Sequence, residues 1–454
     1  MRILQIVHSL PLFTQAGTEI YTHNLSVELS KKHKIYIFSR TCNLKQKEYE
    51  IKKEVLNGLT IYTINNTFKN CDSFQLLYQN DIIDRKFEDV LRELNPDVVH
   101  IQHLNYLSIG IIKKITARCI PTVLTLHDYW WMCPRCHLFK KDYQPCDKAM
   151  LSKFDQECLS CVNEMLMIKK SFKKTYNCIR RILPTFMLLS FKKTYFSLMG
   201  FAYSNGELVN KLQERACNIK RLMSTIDIFI APTEFIRKKY IEFGIPGEKI
   251  KLSYHGFNIN LFNGLQKNRN HKLRFAFIGT ILPAKGPHIL IKSFNGIKDK
   301  NAQLMIYGNL RSFIGFEYYL PYLKKITKNK NIMFMDGFDN REIASIFQRI
   351  DVLVVHSLWP ENSPLVIQEA FLAKTPVIAS RIGGITELVQ DGVNGLLCDP
   401  GDVHGLQEKI EKIIDNPDLV HKFKENMPHV KSIEDNAKEI EEIYQKIHER
   451  RPFI

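Results

Sequence analysis

Short apolar runs rich in β-branched residues alternate with amphipathic segments along most of this chain, and no other feature constrains its fold as strongly. Such runs lie at 3–7, 35–38 and 59–64, with helical periodicity at 18–31 and 82–94, and a second series of the same kind begins at 273. This alternation is typical of parallel sheets that are covered by helices on both faces. It therefore predicts an α/β protein.

The length and one polar stretch predict how that pattern is divided. A chain of 454 residues is long for one ordinary core, so two domains are expected. The Asn- and Lys-rich stretch 259–272 has no periodicity and is the predicted linker. We expect Rossmann-like domains at 1–258 and 273–430, and a C-terminal helix within 431–454 that packs back on the first domain.

The charge balance narrows the classes of partner. A formal net charge of +17 predicts an anionic partner: a nucleotide, an acidic membrane surface or nucleic acid. The chain contains no uninterrupted apolar run of about 18 residues, so no membrane-spanning helix is expected. The 11 cysteines accompany no export signal, which favours reduced thiols or metal ligands, and the cytosol, over a disulfide framework.

The stretch 351–401 carries the pattern of a phosphate site. A buried strand at 352–355 leads into a loop with Glu361, and Ser363-Pro364 is typical of a helix start, with Ser as the N-cap and Pro at the first helical position. The amides of Leu365 and Val366 would then be unpaired at the positive end of the helix dipole, a site that suits a diphosphate. Glu369, five residues past Pro364, would lie about 7.5 Å from it along the helix axis, where its carboxylate could bind the hydroxyls of a ribose.

Histidines follow two predicted strands of the first half. His100 and His103 end one strand and His127 ends another, beside Asp128. Ligands of doubly wound sheets bind beyond the carboxyl ends of the strands, which favours a functional role. A hydrogen-bonded structural imidazole is the alternative for each, and it is the favoured one for His100 and His103.

Five cysteines interrupt the pattern between 130 and 162. Cys133 with Cys136, and Cys158 with Cys161, have the C-x2-C spacing at which two thiolates bind one tetrahedral metal, and Cys146 lies between the pairs. Zinc that orders the loop is one interpretation, and partly buried free thiols are the other.

The segment 165–206 contains basic residues interleaved with large apolar ones, and no acidic residue. This composition suits the surface of an anionic membrane. A solvated basic face over a packed apolar one is the alternative, and a nucleic-acid patch is disfavoured.

Several of these elements together resemble glycosyltransferase family 4, whose members are retaining nucleotide-sugar enzymes of the two-domain GT-B fold. The motifs that carry the resemblance run in order along the chain: Ala16-Gly17-Thr18-Glu19, Leu126-His127-Asp128, Gly279 with Lys285-Gly286, the E-x7-E pair Glu361 and Glu369, Pro376-Val377-Ile378-Ala379-Ser380, Gly383-Gly384, Glu387 and Asp391-Gly392-Val393-Asn394-Gly395. The resemblance covers nearly the whole chain. It implies two Rossmann-like domains that face each other across a cleft, with a Cys-rich and basic helical insertion at about 130–206.

The resemblance also implies roles for residues of the cleft. Glu361 and His127 would contact the transferred sugar, Glu369 the ribose, and Lys285 the diphosphate. Further donor contacts are expected from Gly279, Thr280, Asn362, Ser363, Leu365 and Val366, and phosphate or acceptor contacts from Gly17 and Thr18. Thr280 stands where the family often has Arg, and Pro364 removes an amide at the helix start.

Some members of the family that build bacterial surface polysaccharides are similar in the cysteine segment too. The similarity implies Cys133, Cys146, Cys158 and Cys161 as ligands of a structural zinc, with Cys136 left over. No catalytic metal is expected.

The function implied is that of a retaining, hexosyltransferase-type enzyme. It would move a sugar from a nucleotide-diphosphate donor to a saccharide acceptor, expected to be a lipid-linked surface-polysaccharide intermediate at the inner face of the cytoplasmic membrane, with no nucleic-acid partner. The main alternative is a non-catalytic nucleotide-sugar-binding or membrane-surface scaffold of the same fold. A nucleic-acid-binding protein and a phosphorylase-like enzyme have less support.

Overall fold

The structure is a computed structural model of the chain. It describes residues 1–11, 16–69, 71, 73–140, 144–146, 154, 158–159, 161–162, 205–268, 270–310, 316 and 318–449. The basic segment at 165–206 lies outside these residues, except for its last two positions.

The first domain is built on an eight-stranded sheet with the order β3-β4-β2-β1-β5-β6-β7-β8. Every neighbouring pair is parallel except β3 and β4, which form an antiparallel edge. Central strands such as β1 and β5 are buried along almost their whole length, as expected for a sheet with both faces covered. The strands are β1 (Arg2–Val7), β2 (Lys34–Thr41), β3 (Ile51–Leu56), β4 (Leu59–Asn65), β5 (Val98–Ile101), β6 (Thr122–Thr125), β7 (Ile228–Ala231) and β8 (Ile250–Leu252).

The second domain contains a six-stranded, fully parallel sheet with the order β11-β10-β9-β12-β13-β14. Its strands are β9 (Leu273–Ile278), β10 (Ala302–Tyr307), β11 (Ile332–Met335), β12 (Val352–Val355), β13 (Val377–Ser380) and β14 (Gly395–Cys398). Two sheets of this kind confirm the predicted α/β class with two parallel-sheet domains.

Helices connect the strands in both domains. In chain order they are α1 (Gly17–Leu29), α2 (Asp81–Leu94), α3 (Gly110–Thr116), α4 (Asn205–Met223), α5 (Glu234–Phe243), α6 (Pro287–Asn295), α7 (Tyr319–Ile326), α8 (Ile343–Phe347), α9 (Leu365–Leu372), α10 (Ile385–Leu388), α11 (Val403–Asp415), α12 (Asp418–Glu425) and α13 (Ile433–Glu449). Within the described ranges, none of the helices has both the length and the apolarity needed to cross a bilayer.

The last helix, α13, lies on the first domain although it follows the second in the chain. Tyr444, on its buried side, has its hydroxyl 2.6 Å from Nδ1 of His100 on β5, and it accepts a hydrogen bond from Gln5 on β1 at 3.0 Å. Asn436 accepts a hydrogen bond from the Tyr21 hydroxyl of α1 at 2.9 Å. The C-terminal helix thus closes one face of the first sheet with polar as well as apolar contacts.

Candidate functional site

Both sheets place their functional loops at the point where the strand order reverses. In the first sheet β1 lies beside β5, and in the second β9 lies beside β12. At such a switch point the connections leave in opposite directions and open a crevice beyond the carboxyl ends of the strands. Gly17 follows β1 and His103 follows β5, while Lys285 follows β9 and Glu361 follows β12.

The centre of the second domain's crevice is an ion pair. Nζ of Lys285 lies 2.7 Å from Oε1 of Glu361, which also accepts a short hydrogen bond from the Ser357 hydroxyl. The Glu361 side chain is almost fully buried, at 6% exposed, whereas that of Lys285 is 30% exposed. The ammonium group of Lys285 is therefore partly accessible from the cleft, whereas the Glu361 carboxylate is buried and bonded to Ser357.

Gly286 explains how Lys285 reaches this position. Its φ of +70° is in the left-handed region, and a Cβ here would overlap the carbonyl oxygen of His356. The turn Pro283–Lys285 can therefore pack directly against the end of β12 only because residue 286 is glycine.

Helix α9 begins one residue later than the sequence predicts. Pro364, not Ser363, is the N-cap residue, and no side chain caps the helix. The hydroxyl of Ser363 is buried and has no partner among the described residues. The prediction of a Ser N-cap is wrong, because Pro364 has the extended ψ of 112° that a cap residue adopts.

The later start leaves the predicted phosphate site in place. Among the described residues, the first amide of α9 that donates to a backbone carbonyl is that of Ile367, which donates to Pro364 at 3.1 Å. The amides of Leu365 and Val366 precede it at the positive end of the helix dipole. The side chain of Leu365 also packs against Gly17 of the first domain.

Glu369 lies one turn into α9, in a small cavity between the domains. The cavity has a volume of about 20 Å³ and is lined by residues of both domains: Ile20, Tyr21, Asn24, Gly256, Phe257, Asn258, Leu261, Phe262, Asn340, Ile343, Leu365 and Glu369. Burial raises the pKa of Glu369 from 4.5 to about 7. A buried carboxyl that lines a small cavity is suited to form hydrogen bonds with hydroxyl groups of a ligand.

His127 faces this crevice from the first domain. Its Nε2 is 2.8 Å from Oε1 of Gln102, and its ring stacks on that of His255 with centroids 5.3 Å apart. Burial, reinforced by the neighbouring histidines, lowers its pKa well below 6.5. The imidazole is therefore neutral at neutral pH, and Nε2 donates to the glutamine oxygen.

Asn362 ties the two domains together next to these groups. Its amide nitrogen donates to the carbonyls of Leu126 and His127, at 2.9 and 3.1 Å, and its oxygen accepts from the Thr233 hydroxyl at 2.5 Å. Asn362, a predicted donor-binding residue, thus has both polar atoms of its side chain hydrogen-bonded to the first domain.

Two further contacts cross the cleft. The Tyr129 hydroxyl donates to the carbonyl of Pro360 at 2.7 Å. Glu387 accepts hydrogen bonds from the amides of Glu234 and Phe235, at 2.9 and 2.5 Å, at the start of α5. An acidic side chain at a helix N-terminus is favoured by the helix dipole, and here the two partners belong to different domains.

The other strand-end histidines have different surroundings. Both ring nitrogens of His100 are hydrogen-bonded, to Tyr444 at 2.6 Å and to Thr125 at 2.7 Å, so His100 is a structural imidazole. His103 lies 3.1 Å from Asp128. Burial alone would raise the pKa of Asp128, but the charge and hydrogen bond of His103 lower it.

The remaining predicted contacts lie at the ends of their strands. Gly17 and Thr18 form the first turn of α1, after Ala16. Gly279 follows β9 with a φ of +156° and donates to the Tyr307 carbonyl at 3.1 Å, and Thr280 follows it, partly exposed. Each pair lies beyond the carboxyl end of a strand that borders the crevice, the first pair in the first domain and the second pair in the second.

The structure does not support the predicted zinc site. Cys133, Cys146, Cys158 and Cys161 line one cavity of about 30 Å³. Yet among the described residues no group of three or more His, Cys, Asp or Glu side chains is arranged to hold a metal ion. Burial raises the pKa of the Cys133 thiol to about 11.

Several residues of the crevice were not predicted. Trp359 packs between Lys285, whose Nζ lies 5.4 Å from its ring centroid, and His137 of the first domain, at 4.6 Å. Gln102 and Ser357 hold His127 and Glu361 in place. The only signal for Trp359 was its position two residues before Glu361, and nothing in the sequence pointed to the other two.

Two family models match the chain. The model described as glycosyl transferases group 1 matches residues 263–430, and the model described as glycosyltransferase family 4 matches residues 16–162. The chain belongs to glycosyltransferase family 4. Each match falls on one of the two domains and includes one wall of the cleft.

Known relatives of this family 4 chain are similar over part of their length. An uncharacterized glycosyltransferase of Methanocaldococcus jannaschii is 32% identical over 172 residues, which are 37% of this chain and 47% of the relative. A D-inositol 3-phosphate glycosyltransferase of Corynebacterium diphtheriae is 25% identical over 230 residues, 47% of this chain and 53% of the relative. The chain thus spans about half the length of these curated relatives.

A solved structure of the same fold covers the whole molecule. Anabaena HepE, in complex with UDP and glucose, matches 99% of this chain and 98% of its own with a TM-score of 0.62 and 18% identity. The GT-B fold predicted for this family 4 protein is therefore confirmed.

Proposed function

We propose that the protein is a retaining, hexosyltransferase-type glycosyltransferase that moves a sugar from a nucleoside-diphosphate-sugar to a saccharide acceptor. The observation that carries this proposal is the Lys285–Glu361 pair, which lies in the interdomain crevice near the start of α9. Its relatives and a fold neighbour are consistent with it, since the relatives are named glycosyltransferases and Anabaena HepE is in complex with UDP and glucose.

The donor would be held at both ends of its nucleotide diphosphate. Glu369 would bind the ribose hydroxyls, and the Lys285 ammonium with the Leu365 and Val366 amides would bind the phosphates. A diphosphate would then take the place of Glu361 as the counterion of Lys285. Gly279 and Thr280, at the end of β9, would line the phosphate side.

The chemistry follows from where charge develops. Breaking the sugar–phosphate bond leaves negative charge on the departing diphosphate, which a cation and helix-end amides oppose; such preorganised groups can each contribute about 3 kcal/mol. Glu361 and His127 would position the sugar from opposite walls. Retention of configuration is expected if the acceptor attacks on the face that the diphosphate leaves and a phosphate oxygen takes its proton.

The acceptor would be a lipid-linked intermediate of a surface polysaccharide, with the enzyme on the inner face of the cytoplasmic membrane. This part of the proposal rests on the net charge of +17 and on the basic segment 165–206. Co-sedimentation with anionic but not with neutral liposomes at low salt is the expected result. Equal recovery in both supernatants would contradict it.

Release of nucleotide from a panel of nucleotide-sugars, with and without saccharide acceptors, tests the activity. We expect turnover by the wild-type chain and a loss of about 10²-fold in kcat for Glu361→Gln. The exposed Glu408→Gln is the matched control and should turn over at the wild-type rate. Tight donor binding with no release would instead favour a non-catalytic scaffold, and unchanged rates in both Glu361→Gln and Lys285→Ala would remove the role assigned to this pair.

A further inference from the structure

Arg40 lies at the cleft edge of the first sheet, and among the described residues it forms no salt bridge. It is the second-last residue of β2, in register just beyond the end of β1. Its Nε donates to the carbonyl of Asn66 at 2.8 Å, and Cys42 is a further neighbour. Glu48 is near enough to act on Arg40 electrostatically, but its carboxylate oxygens accept from the amide and hydroxyl of Thr67, at 2.9 and 2.7 Å, and not from Arg40.

The guanidinium of Arg40 lies against two aromatic rings that also contact each other, with their centroids 5.6 Å apart. Its central carbon lies 5.1 Å from the ring centroid of Phe68 and 5.0 Å from that of Tyr106. Both aromatic residues have a left-handed backbone, with φ of 59° and 65°. Bulky residues rarely adopt this conformation, and such strain is concentrated at binding and catalytic sites.

Asn66 maintains this arrangement. Its side-chain nitrogen donates to the carbonyl of Tyr106 at 2.9 Å, and its side-chain oxygen accepts from the amide of Phe68 at 3.1 Å. Because its own carbonyl accepts from Arg40, one buried residue fixes the cation and both rings. Arg40 as a whole residue is only partly buried.

A continuous row of side chains connects Arg40 to the crevice. The ring of Tyr106 lies 6.3 Å from that of His8, and His8 lies 4.7 Å from His103. His103 contacts Asp128, the residue next to His127. Arg40 therefore forms the outer end of a strip that begins beside the predicted reacting centre.

We propose that Arg40, Phe68 and Tyr106 form a subsite for an anionic group, a carboxylate or a phosphate, on the saccharide acceptor. This proposal rests on the proposed glycosyl transfer, and it adds that the acceptor is acidic. The planar guanidinium matches two oxygens of either anion, and Tyr106, which is 37% exposed, adds aromatic surface beside it that a sugar ring can contact. The reacting hydroxyl would lie at the His127 end of the strip.

Calorimetric titration of the full chain, saturated with UDP, with three sugars tests this subsite. The probes are D-glucuronate, D-glucose 6-phosphate and D-glucose. We expect at least one anionic sugar to bind more tightly than glucose and to lose about 10-fold or more in affinity in Arg40→Gln. Whichever of the two anionic sugars responds identifies the group as carboxylate or phosphate.

Two variants separate binding from folding. Arg92→Gln removes an exposed arginine of α2 and should leave all three affinities unchanged. Arg40→Lys keeps the charge without the planar fork, and should bind the anionic sugar less tightly than wild type; it replaces Arg40→Gln if that variant does not fold.

Anionic sugars that bind the wild type no more tightly than glucose would overturn the subsite. So would an equal loss of all three sugars in Arg40→Gln. If GDP or ADP binds in place of UDP, the titrations are run with that diphosphate. Absence of binding of all three by the wild type would instead count against the proposed function, so the two failures can be told apart.

Discussion

Single residues in the crevice are held by partners that a donor would replace or share. Lys285 is paired with Glu361 at 2.7 Å, His127 is hydrogen-bonded to Gln102, and Glu369 is buried at the edge of a small cavity. Burial disfavours the charged form of an acid, so the pKa of Glu369 rises from 4.5 to about 7. The ionised form of this residue therefore costs folding free energy in the empty protein.

Glu369 should leave a signature in the pH dependence of stability. Its folded pKa is raised, so the native state binds a proton between pH 4.5 and about 7 that the unfolded state does not, and stability falls as the pH rises through this window. Glu369→Gln removes this dependence. Urea unfolding should show the Gln variant gaining stability relative to wild type as the pH is raised from 4.5 to about 7.

Buried histidines act in the opposite direction, which is why the difference between the two proteins is the informative quantity. Burial lowers the folded pKa of His100 and of His255 from 6.5 to about 3, so both destabilise wild type and variant alike as the pH falls below 6.5. Exposed Glu425→Gln serves as the control and should show no such trend. A pH-independent difference for Glu369→Gln would contradict the account.

Elements were predictable from sequence where the signal is local. Thr233 caps the start of α5 with its side chain and Gly244 ends the helix in the left-handed region, and both are signals that the local sequence carries. The start of α9 was predicted one residue early, since Ser-Pro also fits a helix whose proline is the cap. The antiparallel edge strand β3 was not predicted, because its exposed, charged residues lack the apolar pattern of the other strands.

Contacts between elements that are distant in the chain could not be predicted from the sequence. Tyr444 meets His100 across 344 positions, and Asn362 meets His127 across 235. No local pattern encodes such pairs, so the second wall of the crevice could be expected only from the family resemblance. The zinc expectation finds no support among the described residues, and C-x2-C spacing by itself fixes two thiols relative to each other but not their distance from other cysteines.

The attachment of α13 can be tested at Tyr444. Its hydroxyl accepts from Gln5 and donates to His100, whose other ring nitrogen is bonded to Thr125. Tyr444→Phe leaves buried polar groups without a partner and should lower the free energy of unfolding by about 1–3 kcal/mol in urea denaturation. Tyr254→Phe, at an exposed position, is the control; equal stability of the two variants would show that the hydroxyl does not anchor α13.

The whole molecule brings two switch points face to face. Asn362, Tyr129 and Glu387 each make hydrogen bonds across the cleft, and these contacts surround the loop that carries Glu361. The first domain thus supplies one wall, with His127 and the row of side chains that ends at Arg40. The second domain supplies Lys285, Glu369 and the start of α9. A ligand that contacts both walls would be buried between them, away from water.

We expect this cleft to bind a diphosphate through Lys285 and the start of α9. Titration calorimetry of UDP against UMP, repeated with GDP against GMP and ADP against AMP, measures the contribution of the second phosphate. For the preferred base we predict that the diphosphate binds at least about 10-fold more tightly than the monophosphate, and that Lys285→Met abolishes most of the difference. Equal binding of diphosphate and monophosphate by the wild type, or a preference that survives in Lys285→Met, would contradict the account.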